Sequence, residues 1–253
     1  MEIQSYLDRI NYNQSVRANA HTLRGLHRAH MFAVPFENLD IVPLQRPIQL
    51  DEQALLDKIV LHKRGGFCYE LNGAFAWLLK KIGFEVSYLN GRVYRDDGSL
   101  GIDFDHLALL VRTPGQSARW LADVGFGDSF IEPLSFEIGN EHVEGLRAYK
   151  LEETKDGFVM WQRDYDGRWS HQYFFDLTER KFPEDYQAGC VYHQNPSLSS
   201  LGREGIISMA NTEGRVSLKK ENLAVTVNGQ REERVVTRED YPILLKKYFG
   251  IVL

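Results

Sequence analysis

The chain has 253 residues, 43% of them hydrophobic and 26% charged, a globular composition with enough apolar mass for a sizeable core. Thirty Lys and Arg against 35 Asp and Glu give a net charge of −5, which argues against a general binder of nucleic acid or anionic membranes, since either needs a basic face. The apolar run at residues 107–111 is too short to span a bilayer, and the first ten residues lack the pattern of a signal peptide. The expectation is a soluble cytoplasmic protein whose two cysteines, Cys68 and Cys190, are free thiols.

In chain order, Ile3, Tyr6, Leu7 and Ile10 form one helical stripe. A second helix is expected over residues 16–30, ending before Pro35, which disfavours helix at Val34. The stretch around Pro43 and Pro47 reads as loop, and Asp51 as the N-cap of a short helix reaching about residue 62. After Gly65-Gly66, the residues Leu71, Phe75, Leu78, Leu79 and Ile82 recur at helical spacing from Cys68 onward. Gly83 stands where a glycine closes a helix. Cys68 is thereby placed in the first turn of a buried helix.

From Phe84 the period changes to that of strands. Strands are expected at 84–95, 104–112, 119–124, 147–153, 158–163 and 168–176, punctuated by Asp97-Gly98, Pro114-Gly115, Asp156-Gly157 and Asp166-Gly167. Short consecutive strands with tight turns indicate an antiparallel barrel or sandwich. Beyond Pro183, strands at 215–219, 223–227 and 234–237 precede a last helix at 238–248, and Asn228-Gly229 signals a hairpin.

Cys68 carries the chemistry. A thiol attacks a carbonyl as thiolate, and a helix N-terminus favours negative charge. The adjoining N–H groups can also hold the oxyanion formed on attack. A structural cysteine in a core helix is the competing reading. A nucleophilic thiol needs a base, and the base an orienting group. His106 and Asp123 lie on neighbouring expected strands. If Thr113-Pro114-Gly115-Gln116 is a four-residue hairpin loop, Arg112 pairs with Ser117 and His106 falls opposite Asp123. Asp123 read instead as an acid at a strand end, and His106 as a satisfied core histidine, are the alternatives. No HExxH, CxxC, GxGxxG or P-loop pattern occurs, so neither a metal nor a nucleotide fold is expected. Cys190 reads as structural, and Asp103 and Asp105 as solvated.

Four segments in order complete the pattern: Val34-Pro35-Phe36-Glu37-Asn38-Leu39, Arg64-Gly65-Gly66-Phe67-Cys68-Tyr69-Glu70-Leu71-Asn72, Asp105-His106-Leu107 and Asp123-Val124-Gly125-Phe126-Gly127. This set resembles the signatures of the arylamine N-acetyltransferases. The resemblance implies an α+β fold whose core is papain-like or transglutaminase-like. Residues 1–83 would form a helical bundle with the nucleophile, 84–182 a β-barrel with His106 and Asp123, and 183–253 an α/β lid.

It further implies a Cys68–His106–Asp123 triad that takes acetyl from acetyl-CoA and passes it to an aromatic amine or hydrazine, with no permanently bound cofactor. Phe126, Gly127 and Phe36 would line the acceptor site, with a core phenylalanine as the other reading of Phe126. Thr212, Gly214 and Lys219 would meet coenzyme A. Lys219 and Lys220 read equally as a solvated charge pair. Arg64 is expected to pair with Glu37 in a structural role. Competing uses of the same triad are an amide synthase acting on a carrier-bound polyketide, and a cysteine hydrolase or transglutaminase-like enzyme. A binding protein without catalysis fits poorly with three intact triad residues.

Overall fold

The structure is a computed structural model that describes residues 1–237 and 239–253. Its N-terminal part is helical: α1 (Ile3–Arg9), α2 (Ala20–Ala33), α3 (Glu52–Leu56) and α4 (Cys68–Ile82). α2 starts four residues later than the periodicity predicts because Asn19 caps it, accepting from the Thr22 N–H at 2.9 Å. It stops at Val34, which is extended ahead of Pro35. Asp51 caps α3 as expected, and the chain continues from it through one π turn, Asp57–Leu61.

α4 has the bounds that the sequence predicts. At its start, Glu70 in the first turn accepts from the Phe67 N–H at 3.1 Å; at its end, Gly83 turns left-handed at φ 106°. Residues 68 to 79 are all buried, so α4 is the central helix of the molecule.

Eight antiparallel strands form a nearly closed barrel in the order β5-β4-β3-β2-β9-β8-β7-β6. These are β2 (Glu85–Val93), β3 (His106–Arg112), β4 (Arg119–Ala122), β5 (Leu134–Ser135), β6 (His142–Glu144), β7 (Arg147–Glu153), β8 (Phe158–Arg163) and β9 (Trp169–Phe175). β3 is buried on both faces. Leu109 and Val111 pack with the helices, while Ala108 and Leu110 pack inside the barrel with Leu121 and Tyr173. The helical and barrel cores therefore meet across one strand, and that strand begins with His106.

A second sheet has the order β1-β10-β11-β12-β13, made of β1 (Phe36–Glu37), β10 (Ile206–Ala210), β11 (Gly214–Lys219), β12 (Asn222–Val227) and β13 (Gln230–Val235). The Asn228-Gly229 turn joins β12 to β13 with both residues at positive φ, as a two-residue hairpin demands. α6 (Asp240–Phe249) packs on this sheet; Arg238, the expected first residue of that helix, lies outside the described residues. α5 (Gln187–Gln194) presses on the start of α4, where Cys190, Tyr186, Tyr69 and Cys68 share one apolar cluster.

Candidate active site

The β3–β4 register differs from the expected one by two residues. Arg112 pairs with Arg119, not Ser117, so the loop has six residues, 113–118. Asp123 lies just past the end of β4, and continuing the ladder would set it opposite Ala108. A slip of two conserves facing, because side chains alternate with period two. Asp123 and His106 thus stay on one face as diagonal neighbours, and His106 Nε2 reaches Asp123 Oδ2 at 2.7 Å.

The candidate nucleophile, Cys68, comes from the helical side. The segment after Asp123 passes so close to α4 that a Cβ on Gly125 would lie 2.8 Å from the Cα of Cys68 and 2.7 Å from Asn72 Nδ2. Only glycine admits that approach. With Nε2 engaged by Asp123, Nδ1 of His106 is the nitrogen left for the thiol. Cys68, His106 and Asp123 are 4%, 2% and 0% exposed, so all three are buried. Cys68 at the first helical position stands among N–H groups that α4 itself cannot pair.

Burial opposes a charged imidazole, but the Asp123 charge and hydrogen bond, with the Cys68 thiol adding to them, raise the His106 pKa to about 10. Burial likewise opposes the Asp123 carboxylate, yet His106, Asn72 and the Gly125 N–H hold it below the usual range. Cys190 offers a contrast. Burial in its apolar cluster pushes its thiol up to about 12, the environment of an unreactive cysteine.

Two residues that the sequence reading passed over complete the site. Asn72 Nδ2 donates to Asp123 Oδ1 at 2.9 Å and to the Leu107 carbonyl at 2.6 Å, while its Oδ1 accepts from the Val124 N–H at 3.0 Å. Tyr173 Oη donates to Asp123 Oδ2 at 3.0 Å. With the Gly125 N–H at 3.0 Å, the Asp123 carboxylate has four partners. Asn72 is one helical turn after Cys68, a spacing that signals a shared face. Tyr173 arrives through the pairing of β9 with β2, which no local pattern announces.

Phe126 stands edge-on to His106 at 5.0 Å and tilted against Tyr173 at 5.1 Å. A Cβ on Gly127 would touch the Phe36 ring at 3.4 Å. The three expected acceptor residues therefore adjoin one another, Phe126 and Gly127 in sequence and Gly127 and Phe36 in space, with Phe126 against His106 and each half-buried. The expected coenzyme residues do not come together. Thr212 and Gly214 line a groove of about 690 Å³ with Arg147 and Arg215. Lys219 lines a separate groove of about 1420 Å³, where Lys219 and Lys220 pair with Glu204 at 3.3 and 2.5 Å.

Behind the start of α4, Arg64 binds Glu37 through two hydrogen bonds of 2.9 and 3.0 Å and reaches Asp40 at 3.3 Å. Lys58 joins Asp40 to Glu70, each at 2.7 Å. This network anchors the Gly-Gly segment: a Cβ on Gly65 would strike the Pro35 carbonyl. Among the described residues, no group of three metal-ligating side chains is found, and no helix is long and apolar enough to cross a membrane.

A thiol heading a central helix, faced by a barrel-borne imidazole and its buried carboxylate, is the arrangement of a cysteine-containing acyltransferase. Residues 19–253 match the family model described as N-acetyltransferase. The arylamine N-acetyltransferase of Mycolicibacterium smegmatis is 33% identical over 92% of this chain and 85% of that one. The arylamine N-acetyltransferase of Escherichia coli (strain K12) is 36% identical over 74% of this chain, a match that spans 65% of that relative's length, just under two thirds. A structure of Mycobacterium marinum arylamine N-acetyltransferase in complex with CoA superposes with a TM-score of 0.91 at 31% identity, covering 99% of this chain and 93% of that one. The chain belongs to the arylamine N-acetyltransferase family, whose members are acyltransferases.

Proposed function

We propose that the protein carries acetyl groups from acetyl-CoA to aromatic amines or hydrazines by a ping-pong reaction through acetyl-Cys68. The observation that carries this reading is the 2.7 Å contact of the His106 imidazole with a fully buried Asp123, beside a thiol at a helix N-terminus. With its pKa raised to about 10, His106 already holds the proton in the resting pair, so the Cys68 thiolate attacks the thioester and His106 gives that proton to the coenzyme A thiolate as it leaves. Asp123 fixes the ring and stabilises its imidazolium. The first-turn N–H groups of α4 support the tetrahedral oxyanion. In the second half, the neutral amine attacks the thioester carbon of acetyl-Cys68. His106 accepts the ammonium proton, and the Cys68 thiolate is released.

Phe126, Gly127 and Phe36 would offer the acceptor ring an apolar, partly aromatic wall. For coenzyme A, the groove with Thr212 and Gly214 supplies three guanidinium groups, and the groove with Lys219 supplies several cations. Both contact sets belong to the proposal. The CoA complex of the Mycobacterium marinum relative supports the choice of donor.

Initial rates over a grid of acetyl-CoA and aromatic amine concentrations test the reading. Parallel double-reciprocal lines are expected. Intersecting lines would rule out the acetyl-enzyme route, and rapid acetyl loss to water without amine would turn the assignment toward a hydrolase.

A further inference from the structure

His27 takes no part in the chemistry above, yet it touches the segment that carries it. It lies on the buried face of α2 and is 0% exposed. Its Nε2 accepts from the Asp123 backbone N–H at 3.1 Å, and its Nδ1 bonds the Ile131 carbonyl at 2.7 Å. One tautomer alone serves both partners, with the proton on Nδ1 and the lone pair on Nε2. The imidazole is therefore neutral. The ring is clamped by Phe130, stacked at 5.6 Å, and by Phe75, edge-on at 5.9 Å.

The two bonds lie at the ends of residues 123–131. Between them run Gly125, pressed on the start of α4, and Phe126, standing on His106. A second brace meets the far end, where Glu144 of β6 accepts from the Ile131 and Glu132 N–H groups at 2.8 and 2.9 Å. The near end has no ladder to hold it, because β4 stops at Ala122.

We propose that His27 is a positioning residue for the cysteine chemistry, tying the Asp123 backbone to α2 so that its carboxylate meets His106. The inference rests on the proposed role of the triad. The charged groups that bear on the His27 ring are Asp123 and Glu144, which favour its protonation. Burial outweighs both and holds its pKa down. His30, one turn further along α2, is also buried with its pKa held well down. A neutral acceptor thus persists next to a carboxylate. Without that acceptor the Asp123 N–H is buried and unpaired, a state the segment relieves by moving.

The test is the pH profile of Cys68 alkylation by iodoacetamide, mapped to Cys68 by mass spectrometry, in the full chain with His27→Phe, His27→Gln and His27→Asn. Gln can place a carbonyl oxygen where Nε2 accepts, whereas Asn can restore only the bond to Ile131. His27→Phe is expected to shift the profile upward and slow alkylation near neutrality about tenfold, as a one-unit shift would. His27→Gln should recover most of the loss and His27→Asn should not. A purely structural role would lower the melting temperature and leave the midpoint in place.

An unshifted midpoint in folded His27→Phe, or His27→Asn equal to His27→Gln, overturns the proposal. If His27→Phe does not fold, the Gln and Asn comparison decides it. Alkylation needs no acetyl-CoA. A wild-type protein that never forms an acetyl adduct would therefore overturn the triad's acetyl-transfer role without bearing on the His27 result.

Discussion

His106 Nε2 and Asp123 Oδ2 meet at 2.7 Å although the two residues are not ladder partners. The carboxylate reaches the ring diagonally, from just beyond the end of β4, and Asn72, Tyr173 and the Gly125 N–H hold it there. Asp123→Asn should leave the chain folded and lower acetyl transfer by at least about a hundredfold, because an amide does not stabilise imidazolium as a carboxylate does. Single-turnover rates beside melting curves measure it. A variant of near wild-type rate would remove Asp123 from the mechanism.

Tyr173→Phe deletes one of four hydrogen bonds to Asp123 and leaves the ring packing intact. A bond to a charged acceptor contributes about 1.5–3 kcal/mol. The expected result is a folded protein whose acetyl transfer slows by roughly tenfold or more, each 1.36 kcal/mol being about a factor of ten. An unchanged rate would show that Tyr173 only fills space.

Arg64→Ala should act on stability. Glu37 is 0% exposed and its partner Arg64 is 9% exposed, so the variant strands a buried carboxylate. Breaking such a pair costs about 3–5 kcal/mol. Denaturant titration should show that loss, and any folded fraction should alkylate at Cys68 as the wild type does. A variant as stable as the wild type yet inactive would contradict the structural assignment.

Gly125→Ala brings a methyl group to 2.8 Å from the Cys68 Cα and 3.0 Å from its carbonyl oxygen, atoms of a buried helix that cannot yield. Acetylation of Cys68 should fall by more than about tenfold, as a misplacement near 1 Å at a reacting centre commonly costs. Equal rates in the variant and wild type would mean that the segment does not abut the nucleophile.

The His106 pair also sets a pH dependence of stability. Its folded pKa, raised to about 10, lies above the ordinary histidine value, so the stabilisation is fully present below pH 6.5 and is lost as pH rises through about 10. Wild type should therefore lose its stability margin over Asp123→Asn between pH 6.5 and 10, as read from paired denaturant titrations. A constant margin across that window would contradict it.

Much of this arrangement is legible in residues 64–83, where Gly65-Gly66 and Gly83 bracket an apolar helical run and place Cys68 in its first turn. The histidine–aspartate contact is legible for a physical reason: period-two alternation survives a two-residue error in loop length. Asn72 is open to the same reasoning, since i+4 from Cys68 shares its face. Tyr173 and His27 are not, because β9 pairs with β2 across some eighty residues and α2 meets Asp123 through tertiary packing alone. The second sheet was only partly readable; β1 is two residues long and finds its partner β10 far along the chain.

The central claim, that Cys68 is the acetyl carrier, has a direct test. Protein mixed with acetyl-CoA in the absence of amine is examined by intact mass, and the adduct is mapped by peptide fragmentation, with Cys68→Ser alongside. One acetyl group on Cys68, absent from Cys68→Ser and discharged on adding an aromatic amine, is the predicted result. An unmodified wild type, or an adduct that persists in Cys68→Ser, would contradict the account.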